Sequence, residues 1–102
     1  MAVEGEPQRQ VQMNVPEAVQ AGAYADGAAV WHTPYEFTLD FFAIQPPDSE
    51  SPDVLQCLTT ARVKIPPTVI FDLLKALNEN MTKYEAQFGE IPRIEPREQE
   101  GE

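Results

Sequence analysis

The chain has 102 residues, room for one small domain, and a formal net charge of -10. Eleven acids and four bases fall between residues 10 and 92, so the body itself is acidic, a sign that repels phosphate backbones and anionic membranes and argues against both as partners. The single cysteine, Cys57, excludes an intramolecular disulfide and a cysteine metal cluster.

The opening residues MAVEGEPQRQ have neither a basic start nor an apolar run, so no signal peptide is expected. No stretch approaches the roughly 18 consecutive apolar residues of a membrane span. The expected location is the cytoplasm, with no membrane partner.

Residues 1–9 are polar and hold Gly5 and Pro7; a disordered tail is expected there. From Gln10 to Val15 the pattern alternates, with Val11, Met13 and Val15 on one face, which predicts a half-buried strand. Pro16 ends it, and Glu17 to Gly22 reads as a turn of helix or a loop. Tyr24 to His32 is a second strand, in which Gly27 signals a bulge or a close backbone approach. Thr33-Pro34-Tyr35-Glu36 makes a reversal, with Thr33 and Glu36 at capping-box spacing.

Phe37 to Ile44 is the most strand-like segment. Phe37, Leu39 and Phe41 alternate with Thr38 and Asp40, so the first face is expected to meet the core. Phe42 and Ile44 then put apolar groups on the opposite face, to be covered by a loop or by a second subunit. Gln45 to Asp53 holds three prolines and three acids and reads as a solvated loop. Leu55 to Ile65 returns as a long strand, with Leu58 on the outer side alongside Phe42 and Ile44. Three apolar residues on one face of a hairpin are hard to leave in water.

Pro66-Pro67 stops that strand and opens a helix from Pro67 to Gly89. Its residues Ile70, Leu74, Leu77, Met81, Tyr84 and Phe88 follow a four-three-four-three-four spacing, widened to a stripe by Leu73. That spacing serves equally to cover a core and to form a short coiled-coil seam. Gly89 is placed as a left-handed cap, Pro92 prevents continuation, and residues 93–102 read as a flexible charged tail.

The order predicts an α+β domain over residues 10–92: an antiparallel sheet of about four strands, covered on one face by a long C-terminal helix. One helix over four strands is thin, and together with the outer apolar residues it predicts a homodimer.

For chemistry the chain offers little. His32 is the only histidine, and no nucleophile signature surrounds it or Cys57, so no catalytic residue is assigned and an enzyme is not expected. Asp48, Glu50 and Asp53 cluster in the loop without the glycine and terminal glutamate of a calcium loop, and no glycine-rich phosphate cradle is present. No metal or cofactor is assigned. Trp31, Tyr35 and Phe41-Phe42 read first as core packing. If they face outward, Trp31, Tyr35, Phe42, Ile44 and Leu58 form the candidate interaction surface.

Tyr24 to Phe42 carries His32-Thr33-Pro34, Glu36-Phe37 and Leu39-Asp40-Phe41. A second block runs from Ala61-Arg62-Val63 through Pro67 to Leu73, Leu74, Leu77, Asn80, Lys83, Tyr84, Glu85, Phe88 and Gly89. In combination these resemble the family catalogued as domain of unknown function 3467, over about residues 10 to 91. Pro66 departs from the serine or threonine expected before the helical proline. The resemblance implies a small cytoplasmic protein of bacteria or archaea and transfers no catalytic residue. The expected role is a non-enzymatic homodimeric interaction module, adaptor- or chaperone-like, with an unknown protein partner. The alternative is a small dimeric DNA-associated regulator, whose basic strand face would be Arg62 and Lys64.

Overall fold

The computed structural model describes residues 9–94. The tails expected at 1–9 and 93–102 therefore lie, apart from Arg9, Arg93 and Ile94, outside the described residues. The elements are α1 (Glu17–Gln20), β1 (Gly27–His32), β2 (Phe37–Ile44), β3 (Cys57–Ile65), a 3-10 turn (Pro67–Val69) and α2 (Ile70–Phe88). The three strands form one antiparallel sheet in the order β1-β2-β3, which makes the chain α+β with a C-terminal helix.

The sheet has three strands rather than four. Residues 10–15 keep their alternating sequence but form no ladder with any described strand; the Val15 carbonyl accepts from the Gln20 side-chain amide at 3.3 Å, and Val11, Met13 and Val15 are 66%, 82% and 55% exposed. Alternation gives a segment two faces, but a strand also needs a neighbour to supply its ladder of hydrogen bonds. The next residues do form one turn of helix. Pro16 is extended, Val19 N–H donates to the Pro16 carbonyl at 2.9 Å, and Gly22 leaves the turn at φ +77°.

Two units can be described. The first gathers the described residues up to Trp31 with Leu39–Val63. Here Asp26 ties the start of β1 to the end of β2: its N–H donates to the Phe42 carbonyl, and its Oδ1 accepts from the Ile44 N–H, both at 3.0 Å. The Thr60 hydroxyl donates to the Tyr24 carbonyl at 2.8 Å, linking the chain before β1 to β3. Just beyond the same end of β2, Gln45 N–H donates to the Gln56 carbonyl at 2.8 Å. The acidic loop between them is a series of turns in which Asp48 Oδ1 accepts from Glu50 N–H at 3.0 Å and the Asp48 carbonyl from Ser51 N–H.

Gly27 has a specific task in this unit. A methyl group there would overlap the ring of Phe42, so the close approach expected at this glycine is made by that ring.

The second unit gathers His32–Thr38 with the described residues from Lys64 onward. Its turn is closed by Thr33 N–H donating to the Glu36 carbonyl at 2.9 Å, while the Thr33 hydroxyl accepts from Tyr35 N–H at 3.2 Å. No helix opens there, so the capping-box spacing of Thr33 and Glu36 serves a turn instead. Helix α2 follows Pro66 and Pro67 as expected, with its first turn tightened to 3-10 and no side-chain cap at Val69. It ends at Gly89, whose N–H donates to the Glu85 carbonyl at 3.0 Å. Gly89 sits at φ +100°, ψ 173°, an extended region that only glycine enters readily, rather than the left-handed helical region expected of a cap.

Burial departs most from expectation. Among the described residues no apolar side chain is buried, and Thr38 is the one residue fully removed from solvent. The expected core face of Phe37, Leu39 and Phe41 is only half-buried. On α2, which has no buried residue, Leu74 is 55% and Leu77 60% exposed. The stripe meant to cover a core is thus mostly uncovered, with only Ile70 and Leu73 half-buried.

Candidate functional site

In the first unit, strand alternation and cross-strand pairing place Asp40 on β2 beside Arg62 on β3. Arg62 Nε donates to Asp40 Oδ1 at 2.6 Å and Arg62 Nη2 to Asp40 Oδ2 at 2.9 Å, a bidentate fork. The hydrogen bond to Asp40, and then its charge, raise the Arg62 pKa above its already high ordinary value, so the guanidinium keeps its charge. Trp31 on β1 joins the same face: the guanidinium carbon lies 5.9 Å from its ring centroid, at the limit of a cation–π contact, and its indole N–H points to Asp40 Oδ2 at 3.5 Å.

Phe42 and Ile44 follow Asp40 at two-residue steps and therefore share its face, as Leu58 and Thr60 share that of Arg62. The structure thus gathers four of the five candidate surface residues, Trp31, Phe42, Ile44 and Leu58, on one side of this unit. Phe42 and Ile44 are half-buried, whereas Leu58 is 59% and Trp31 45% exposed. Tyr35 is separate, at the turn of the second unit and 83% exposed. Beside the face, Ile44, Pro47, Pro52, Val54 and Leu55 line an open depression of about 330 Å³.

Sequence reasoning did not foresee the joining of Trp31, Asp40 and Arg62. A signal was present, because acid and base occupy outward positions on consecutive strands. The register that sets them opposite each other depends on the loop between, which has no standard hairpin length.

In the second unit Lys64 Nζ donates to Glu36 Oε2 at 2.9 Å and to the Thr38 hydroxyl at 3.2 Å. The pair stands 45% and 37% exposed. Both bases of the would-be basic strand face, Arg62 and Lys64, are therefore engaged by carboxylates. His32 stacks on Phe37, ring centroids 5.4 Å apart, and Cys57 is exposed at the start of β3. Among the described residues no three metal-ligating side chains are gathered, and no helix is long and apolar enough to cross a membrane.

The α2 stripe is the other candidate. Tyr84 and Phe88 stand one turn apart with ring centroids 5.0 Å from each other, and Phe71, Leu74, Leu77, Met81 and Phe88 are 80%, 55%, 60%, 45% and 66% exposed. Two surfaces of one acidic chain thus present apolar groups in organised arrays.

A family model described as "Protein of unknown function (DUF3467)" matches residues 1–93. No curated protein and no solved structure matches the chain.

Proposed function

We propose, for a chain that belongs to the DUF3467 family, a non-enzymatic role as a homodimeric protein-interaction module. The supporting observation is the burial pattern: no apolar side chain among the described residues is buried, while large ones on the strands and on α2 stand exposed. Ordering a chain costs about 1–2 kcal/mol per residue in backbone entropy. Each large apolar side chain offsets about 1.5–3 kcal/mol of that only when it leaves water. A chain with so little covered needs a second surface, and a second copy is available wherever the first is made.

In this reading the second copy covers apolar surface that the single chain leaves open. The face holding Trp31, Arg62 and Leu58 is then presented to a protein partner, in the manner of an adaptor. An aromatic ring beside an anchored guanidinium suits such a face, since both groups are favoured at protein interfaces.

Sedimentation velocity and chemical unfolding across a range of protein concentrations test the dimer. The expected result is a two-chain species whose unfolding midpoint rises with concentration. A compact monomer with a concentration-independent midpoint rejects the proposal.

A further inference from the structure

We propose that α2 is the dimer seam and that two copies of it pair antiparallel about a two-fold axis level with Glu79; this rests on the homodimer proposed above. The six stripe residues run Ile70, Leu74, Leu77, Met81, Tyr84, Phe88, so reversal about residue 79 sets Ile70 against Phe88, Leu74 against Tyr84 and Leu77 against Met81. The first three are aliphatic and the last three are longer or aromatic. Antiparallel pairing therefore sets an aliphatic side chain against an aromatic one in both outer layers, and the volume-matched Leu77 and Met81 against each other in the central layer. Parallel pairing would stack aromatic on aromatic at one end and aliphatic on aliphatic at the other, giving layers of uneven width along a seam that favours a constant separation.

Charge points the same way. The helix carries five charged residues: Asp72, Lys75, Glu79, Lys83 and Glu85. Four of them lie on the side away from the stripe, and Phe71, Leu73, Asn78, Asn80 and Gln87 flank it with Glu85. Two copies of a chain with net charge -10 thus meet along a nearly uncharged strip. The one flanking acid, Glu85, falls in the antiparallel arrangement level with the first turn of the other copy's helix, where the macrodipole favours a carboxylate. In a parallel pair it would sit level with its counterpart and with the negative helix end. At the axis Asn80 donates its amide to the Ala76 carbonyl at 3.0 Å, which leaves its own carbonyl oxygen as an acceptor for the symmetry-related amides.

Spin labels on the outer face read the orientation without touching the seam. In the full chain with Cys57→Ser, cysteines are placed singly by Asp72→Cys, Glu79→Cys and Ala86→Cys, three positions at seven-residue spacing on one side of the helix. Antiparallel pairing about residue 79 gives the shortest inter-label distance at 79. It also gives equal longer ones at 72 and 86, each offset along the axis by about 21 Å from the 1.5 Å rise per residue. Three equal distances mean a parallel pair, and distances unrelated to position mean another interface. Either overturns the seam while leaving the dimer standing. No inter-label distance, together with a monomer in sedimentation, overturns the dimer and the seam with it.

Discussion

Replacing Gly27 with alanine puts a methyl group where the Phe42 ring lies. The new Cβ would stand 2.5 Å from Phe42 Cζ and 3.1 Å from Cδ1, with Cε1 closer still, against roughly 3.5–4.0 Å for carbon atoms in contact. The ring must therefore move by about 1 Å or more. Two effects oppose each other. Overpacking costs about 1–3 kcal/mol, and about 1.5–2 kcal/mol of that range applies, because the overlap is deep but meets the far end of a half-buried side chain. Removing a glycine from a strand contributes about 0.5–1 kcal/mol in the other direction. The expected net loss for Gly27→Ala is about 0.5–1.5 kcal/mol.

Urea unfolding at one fixed protein concentration measures that loss as a lower midpoint with an unchanged slope. Phe42→Leu alone should also destabilise, since the ring no longer covers Gly27. The double variant should lose less than the two single losses together, because the smaller side chain admits the methyl group. A Gly27→Ala midpoint at or above that of the parent, or strict additivity in the double variant, refutes the account of Gly27 as a seat for the Phe42 ring.

Gly89→Ala should cost about 1–3 kcal/mol through the backbone alone, because nothing lies within 4 Å of the added carbon. Gly89→Asn should not recover the loss, as it would at a left-handed cap; urea midpoints distinguish the two. Leu77→Asp places a carboxylate in the proposed seam and should shift the sedimentation profile from dimer to monomer at concentrations where Lys75→Asp, on the outer side, leaves it unchanged. Arg62→Gln should alter the emission of Trp31, the single tryptophan, and lower the urea midpoint by an amount that shrinks as salt is added, since the guanidinium is solvent-facing. Thr38→Val keeps the volume of the one side chain that is fully buried among the described residues but removes an acceptor from Lys64. Because Glu36 still holds that ammonium, the free energy of unfolding should fall by only about 1 kcal/mol, read as a small drop in the urea midpoint.

Much of the local structure was legible because its causes are local. The Pro66-Pro67 pair fixed the start of the helix, the spacing from Ile70 to Phe88 fixed its type, and Gly89 its end. The alternation of Phe37, Leu39 and Phe41 with Thr38 and Asp40 marked β2, and the isolated Gly27 marked a bulge or a close approach. The candidate surface was legible in part, since counting by twos from Asp40 places Phe42 and Ile44 on its side. What escaped was everything that needs a second segment. Val11, Met13 and Val15 alternate as a strand does, yet among the described residues no strand pairs with them. Asp40 and Arg62 meet only through the register across the loop.

From the sequence alone came the kind and order of the elements from β1 onward, the acidity of the body, the apolar stripe on the helix and the family resemblance. Each follows from neighbours a few residues apart or from a simple sum. The tertiary structure alone decided which faces are covered. Alternation tells that Thr38 and Leu39 point to opposite sides of β2 but not which side is filled, because burial depends on what another segment brings opposite. Here Thr38 is the one described residue enclosed, and the apolar stripe of α2 from Leu74 to Phe88 remains open to water.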